Sequence, residues 1–278
     1  MVHLCFVKCG NIATSTVVDL LLDEIAAREN IVVTVIGTGA KMTPEETERI
    51  AQLLPSIGPD LVVVCGPNAA APGMVRLRKN LAKLDVPRIV VGDGPSKRAR
   101  EKLEEAGFGY LIMEADPLIG ARREFLDPTE MAIFNADVIK VLAIVGSLRV
   151  VQEELDRAIG SVGGTEAYLP RKVVTESASL AKAGFANPYA RAKASSAFML
   201  AVQAAQVNYK GCFVEKDPKK FLRMVTTAHE MVRAAALLAD EAREIEKSTD
   251  SVLRTPHSRS GATLKKRSLK DKPKEVGN

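Results

Sequence analysis

A lysine, a cysteine, a glycine and an asparagine stand together at Lys8-Cys9-Gly10-Asn11, and three hydroxyl residues, Thr14, Ser15 and Thr16, follow closely. An apolar run at 3–7 precedes them, and a helical pattern begins at Val17. A turn of this composition between strand and helix suits an anion. The first N–H groups of a helix have no intrahelical acceptor, and the helix dipole favours negative charge beside them. The turn holds a single glycine, so it is not the three-glycine fingerprint that grips a dinucleotide pyrophosphate.

Four more loops share this chemistry. They are 37–41 (GTGAK), 66–68 (GPN), 92–97 (GDGPSK) and 114–116 (EAD), each directly after an apolar run. Glycine stands in the first four of the five loops and lets backbone amides approach a ligand, while proline in two of them fixes the path. Lys8, Lys41 and Lys97 add point charges suited to phosphate or carboxylate. Together the loops predict a wide cleft for a large anionic small molecule. Turns need glycine for their own sake, so one such loop would mean little.

Other chemistries find little support. Asp93, Glu114 and Asp116 offer carboxylates for acid–base work or magnesium, or equally for capping the helices that follow. There is no Walker lysine motif and no Ser/His/Asp order. His3, His229 and His257 have no metal-ligand spacing. Cys5, Cys9, Cys65 and Cys212 form neither a CxxC pair nor a disulfide framework. Cys5 and Cys65 read as small core residues, and Cys9 as the one candidate for a reactive thiol.

These loops need a scaffold, and the sequence supplies one. Apolar runs at 3–7, 31–36, 60–65, 88–91 and 110–113 alternate with helical patterns near 17–28, 44–54, 74–84 and 97–106. Runs without polar alternation are buried on both faces, so the fold class is α/β. An open, parallel, doubly wound (Rossmann-like) sheet occupies residues 1–126, with its ligand loops at the carboxyl ends of the strands. A mainly helical region follows at 127–250. Helices start at Asp127-Pro128 and run towards Ala158, at Asn187-Pro188 towards Asn208, and at Asp217-Pro218 towards Lys247, each with a capping side chain before a proline. A short strand is expected at 171–175. The alanine-rich helices suggest helix-on-helix packing, within the chain or between subunits.

The 278 residues carry a net charge of +5, but the excess is local. Eight Lys/Arg against two acids lie in 254–278, which leaves the rest near −1. A basic tail, 251–278, is thus a solvated terminus or a contact for an anion or a subunit. Aromatic content of 4% with no tryptophan disfavours a stacking surface for single strands, and no nucleic-acid partner is expected. No apolar run approaches a membrane span and no leader is visible, so no membrane partner and a cytoplasmic location are expected.

Several strings are more specific than any glycine turn. FVKCGNI, GAKM, GPNAAAPG, GARREFLDPTEMAIFNADVIKVLA, FANPYARAKA, GCFVEKDP, AHEMVRAAALLADEAREIEKS and VLRTPH resemble the coenzyme F420-dependent methylenetetrahydromethanopterin dehydrogenase family, from about Val2 to His257. The third loop departs from the family pattern at Ala69 and Met74, where proline is usual, and 160–177 is weakly matched.

The resemblance implies an archaeal oxidoreductase of methanogenesis and one-carbon metabolism. A hydride would pass reversibly from 5,10-methylenetetrahydromethanopterin to oxidised coenzyme F420, a dissociable co-substrate, with no metal. The reactive atoms then belong to the two ligands, which accounts for the missing triad. No catalytic residue follows with certainty. Asp93, Glu114 and Asp137 are electrostatic candidates to stabilise the cationic methenyl product. Lys8, Gly10, Asn11, Thr14, Ser15, Gly66, Asn68, Asp93 and Lys97 are expected at coenzyme F420. Glu114, Arg122, Arg123, Asn135 and Asp137 are expected at tetrahydromethanopterin, although Arg122 and Arg123 equally suit a salt bridge at the domain junction. The family also implies a homohexamer built as a trimer of dimers. The alternatives are a regulatory protein that binds the deazaflavin or another anionic ligand without catalysis, a nicotinamide enzyme acting on another pterin, and a nucleic-acid binder using its basic tail.

Overall fold

A computed structural model describes residues 1–119 and 122–275. The last three residues of the basic tail, and Gly120 and Ala121 of the resembling strings, lie outside the described residues. The chain divides into two compact units. The first comprises Met1–Met113, Val151–Val173 and His257–Thr263, and the second Glu114–Val150, Val174–Pro256 and Leu264–Asn278.

In the first unit, β1 (Val2–Lys8), α1 (Ala13–Leu22), β2 (Ile31–Gly37), α2 (Pro44–Ala51), α3 (Leu54–Ile57) and β3 (Leu61–Cys65) follow in order. Then come α4 (Pro72–Leu81), β4 (Arg88–Asp93), a 3₁₀ turn (Gly94–Ala99), α5 (Arg100–Glu105) and β5 (Gly109–Met113). β1 pairs in parallel with β2 and with β3, and β3–β4 and β4–β5 are parallel too. The six-stranded order is β2-β1-β3-β4-β5-β6, where β6 is Arg171–Val174. This is the doubly wound sheet that the alternating runs predict. Both alternating sets of strand side chains are buried: Cys5, Val7, Val62, Val64, Val90 and Ile112 join one cluster, and Leu4, Phe6, Val63, Ile89 and Leu111 are equally enclosed.

Several boundaries differ from the sequence expectation. α1 begins at Ala13, four residues early, and stops at Leu22. Its hydroxyl residues are therefore first-turn helix residues rather than loop. The 44–54 pattern becomes two helices, and the 97–106 pattern opens with the 3₁₀ turn.

The helix from Asp127 does not run through to Ala158. α6 (Pro128–Ile144) ends and α7 (Ser147–Ser161) starts afresh, with Gly146 between them at φ +97. A Cβ there would lie 2.1 Å from the Ser179 carbonyl oxygen, so the break requires glycine. In the second unit α8 (Glu176–Ala183), α9 (Pro188–Tyr209) and α10 (Pro218–Ser248) follow. Asn187 and Asp217 cap α9 and α10 through their side chains. The alanine faces are taken up within the unit. Ala190, Ala194, Ala197, Ala201 and Ala204 of α9 and Ala228, Ala235, Ala239 and Ala242 of α10 are all buried, on helices that pack against each other.

The tail is structured over its described residues, 251–275. Leu264–Lys265 (β7) pairs antiparallel with Lys274–Glu275 (β8), and Arg254 bridges to Lys266. The segment His257–Thr263 belongs to the first unit. The His257 ring is fully enclosed, with Nδ1 2.6 Å from Glu24 Oε2 and Nε2 2.9 Å from Asp156 Oδ2. Both ring nitrogens face carboxylate oxygens, so the imidazolium form satisfies both. Burial opposes the charge, but the hydrogen bond and charge of Asp156 and the bond to Glu24 outweigh it, and the pKa is raised.

Candidate active site

β1 ends at Lys8, flanked by Gly37 of β2 and Cys65 of β3. The chain leaves β1 towards β2 on one side, while β3 and the remaining strands lie on the other. This is the topological switch point, where open α/β sheets bind ligands beyond the strand carboxyl ends. Lys8, Gly10, Asn11, Thr14 and Ser15 follow β1, Gly66 and Asn68 follow β3, and Asp93 and Lys97 lie at the end of β4. The first unit thus brings its predicted site residues to one edge of the sheet.

Several of these groups are already engaged. Cys9 N–H donates to the Cys65 carbonyl at 2.8 Å, and Gly10 N–H donates to the Gly39 carbonyl at 3.0 Å and lies 3.3 Å from Thr38 Oγ1. The Gly10 amide therefore ties the first loop to the second. Ser15 Oγ donates back to the Ile12 carbonyl at 2.7 Å, which closes the first turn of α1. Lys8 Nζ sits 2.8 Å from Asp19 Oδ2 at a partly exposed position. Asn11 is different. Its Nδ2 is buried and has no hydrogen-bond partner. An amide donor left unmet in this turn fits a ligand that brings an acceptor.

Asp93 stands at the start of the 3₁₀ turn but makes no side-chain cap there. It is almost fully buried, and its Oδ1 accepts from Asn68 N–H at 2.8 Å and from the Ser96 hydroxyl at 3.4 Å. Ser96 Oγ in turn accepts from Ala69 N–H at 2.9 Å. Gly66 N–H continues the ladder to the Val91 carbonyl at 3.1 Å. Lys97 is exposed at this edge.

The sequence reading missed Thr38, Met42 and Ser96. Gly10 has φ +71, and a Cβ on it would lie 2.4 Å from Met42 Sδ. A Cβ on Gly73 would lie 2.0 Å from the Met42 carbonyl oxygen. The loop carrying Met42 therefore seats on two glycines from its neighbours. These glycines serve loop-on-loop packing, which a glycine count cannot distinguish from ligand approach. Cys9 is fully buried, and its pKa is pushed up to about 11 by burial despite a hydrogen bond with Thr38. Desolvation of the thiolate thus argues against the reactive-thiol alternative for Cys9, which had no histidine near it in sequence either.

Within the second unit the pterin candidates take separate positions. Glu114 is half-buried at its start. The Arg122 guanidinium donates to the Gly211 carbonyl at 3.0 Å and the Glu215 carbonyl at 3.2 Å and lies 4.2 Å over the Phe221 ring. It closes the π-turn Lys210–Val214 that joins α9 to α10. The Arg123 side chain is 94% exposed. Asn135 Nδ2 donates to the Met131 carbonyl one turn back at 2.7 Å. Asp137 is buried and meets Arg233 at 3.2 Å. His229, which sequence spacing passed over, packs between Phe125 and Phe134, with Nε2 buried and unpartnered. Burial lowers its pKa to about 4. Among the described residues no group of three His, Cys, Asp or Glu is placed to hold a metal ion, and no single helix is long and apolar enough to cross a membrane.

Comparison with known proteins gives this edge a context. The family profile described as methylene-5,6,7,8-tetrahydromethanopterin dehydrogenase matches residues 2–274. The chain belongs to this family. It is 51% identical over 274 residues to the F420-dependent methylenetetrahydromethanopterin dehydrogenase of Methanothermobacter thermautotrophicus, covering 98% of this chain and 99% of that one. The dehydrogenase of the same name from Archaeoglobus fulgidus is 51% identical over 267 residues, with 96% and 97% covered. A solved structure of F420-dependent methylene-tetrahydromethanopterin dehydrogenase, in complex with methylene-tetrahydromethanopterin and coenzyme F420, superposes with a TM-score of 0.94 at 45% identity. It covers 99% of this chain, and this chain covers all of it. The dehydrogenase family thus extends over both units, the helical one included.

Proposed function

We propose that this chain is the F420-dependent dehydrogenase of its family. It would transfer a hydride reversibly from methylenetetrahydromethanopterin to oxidised coenzyme F420, giving the methenyl cation and reduced F420. The observation that carries this reading is the full-length correspondence with a structure that holds both ligands. The hydride acceptor is the deazaflavin ring when bound, and the protein's part is to orient two ring systems and exclude water.

The switch-point edge suits the anionic portion of coenzyme F420. Asn11 brings an unmet donor, Lys8 and Lys97 bring positive charge, and the α1 N-terminus carries Thr14 and Ser15. Gly66, Asn68 and the Gly10 turn form the surrounding walls. Glu114 and Asp137 are the candidates for electrostatic support of the cationic product, while Asp93, also named from sequence for that role, has its Oδ1 turned to Asn68 N–H. Glu114, Arg122, Arg123, Asn135 and Asp137 remain the tetrahydromethanopterin candidates, with Arg122 acting through the π-turn it closes. The enzyme is read as cytoplasmic and as a homohexamer, a trimer of dimers. Exposed Tyr189, Met199, Phe213 and Val214 of the helical unit offer apolar surface for such an assembly.

The test is optical. Purified protein is mixed without air with oxidised coenzyme F420 and methylenetetrahydromethanopterin. Loss of the deazaflavin band, dependent on protein and pterin and absent with nicotinamide cofactors, is the expected result. Retention of coenzyme F420 without bleaching would replace the dehydrogenase with a deazaflavin-binding regulator.

A further inference from the structure

Asn68 is one of two non-glycine residues among those described with positive φ, at +47. It lies in the loop after β3, beside the switch point, where a left-handed residue must be held by its surroundings. The holding group is identifiable. Asp93, 2% exposed, aims Oδ1 at the Asn68 N–H from 2.8 Å. Ser96 Oγ links the same oxygen, at 3.4 Å, to the next amide of the loop, Ala69 N–H, at 2.9 Å. Asn68 completes the turn itself: its Oδ1 accepts from Ala70 N–H at 3.2 Å and its carbonyl from Ala71 N–H at 2.7 Å. A buried carboxylate at the end of one strand thus organises the backbone of the loop after its neighbour.

We propose that Asp93 is a positioning residue for coenzyme F420 and acts through the Asn68–Ala71 turn by accepting the Asn68 N–H directly and bracing the Ala69 N–H through the Ser96 hydroxyl. Its charge is then secondary to its lone pair. This rests on the dehydrogenase reading, in which the β3 loop borders the cofactor. Charge and lone pair separate cleanly in the variant Asp93→Asn, which keeps an acceptor oxygen and loses the negative charge, whereas Asp93→Ala loses both.

Two measurements are made on the full-length protein. The first is steady-state kinetics with coenzyme F420 and the pterin varied in turn. Asp93→Asn is expected to hold kcat within about threefold and to raise KM for coenzyme F420 by roughly 3–10-fold, since a neutral acceptor bonds about half as strongly as an ionised one. Asp93→Ala is expected to raise that KM by more than about 30-fold, leaving KM for the pterin nearly unchanged. The second is amide hydrogen exchange at Asn68 and Ala69 without ligands. Exchange should be slow in the parent and in Asp93→Asn, and fast in Asp93→Ala. Should Asp93→Ala fail to fold, Ser96→Ala replaces it and must speed exchange at Ala69.

A fall in kcat of about 100-fold or more for Asp93→Asn at unchanged KM would overturn the proposal in favour of a charge acting on the transition state. Unchanged exchange in Asp93→Ala, or in Ser96→Ala, would overturn it as well. An inactive parent protein would refute the dehydrogenase reading instead, and the exchange data would still decide whether Asp93 holds the turn.

Discussion

Replacing His257 by alanine removes the group that binds Glu24 and Asp156 at once. The ring makes two charge-assisted contacts, at 2.6 and 2.9 Å, and its backbone N–H adds a third bond to Glu24 Oε1 at 2.9 Å that the substitution keeps. A buried partner lost from such a pair costs about 3–5 kcal/mol. Two features reduce that figure. Asp156 retains Arg28 at 3.2 Å and the Thr263 hydroxyl at 3.1 Å, and the Glu24 side chain is 31% exposed and can rehydrate. A loss of about 3 kcal/mol remains, which for a unit of this size lowers the midpoint by roughly 6–12 °C. The parent should also depend on pH. A histidine whose folded pKa is raised contributes fully below its unfolded value of about 6.5, and the contribution fades as pH rises through the higher folded value. Thermal unfolding of parent and variant at pH 6 and pH 9 checks both signs, with exchange at residues 257–263 locating the change. The gap should be widest at pH 6 and should narrow at pH 9. A variant within about 1 °C of the parent at pH 6 would refute the double ion pair.

The seat of Met42 and the neutral histidine give two further tests. Gly73→Ala places a methyl 2.0 Å from the Met42 carbonyl oxygen, a backbone atom that cannot swing aside. Loss of soluble protein, or destabilisation of about 3 kcal/mol by chemical denaturation, is expected, while exposed Gly39, with nothing within 4 Å, should cost mainly the strain of its positive φ. His229 has a folded pKa of about 4, so it is neutral near pH 7 and favours the folded state above pH 6.5. As pH falls from about 6.5 to 4 the unfolded chain takes a proton that the folded one refuses, at a cost approaching about 3 kcal/mol. His229→Phe should flatten that limb of a stability-against-pH curve.

The sheet was legible because its strands are apolar on both faces, a pattern that leaves few other folds. The strand order followed from parallel connections, and the ligand edge followed from the order. Lys8, Asn11, Asn68 and Asp93 could therefore be named together from sequence. What each atom does could not. Asp93 looks like a cap by its place before Gly94-Pro95, yet its oxygen turns to Asn68, because a neighbouring strand's loop lies closer than its own turn. The break at Gly146 was hidden because apolar residues continue on both sides of it, Val145 before and Leu148 and Val150 after, and a lone glycine is a weak stop signal. Cys9 shows that position in a ligand loop does not make a thiol reactive when its side chain faces the core. His257 had no local signal, since both of its carboxylates come from more than a hundred residues away.

The clasp on His257 also sets an order of events during synthesis. Glu24 and His257 are separated by 233 positions, yet the compact unit built on β1 is not closed until both are present. At roughly 5–20 residues per second a ribosome needs about 12–47 s to travel from one to the other. Strands β1–β5 emerge first, β6 follows only after α6 and α7, and Glu24 stays solvated, with Asp156 arriving on the way, while every helix of the second unit is made. The nascent sheet is thus complete in its strands long before it is complete in its charges. The His257 clasp is a late, proton-dependent step, followed by the contacts of Arg259 with Glu29 and Thr263 with Asp156, and a chain stalled before Pro256 would leave the ribosome with all of them missing.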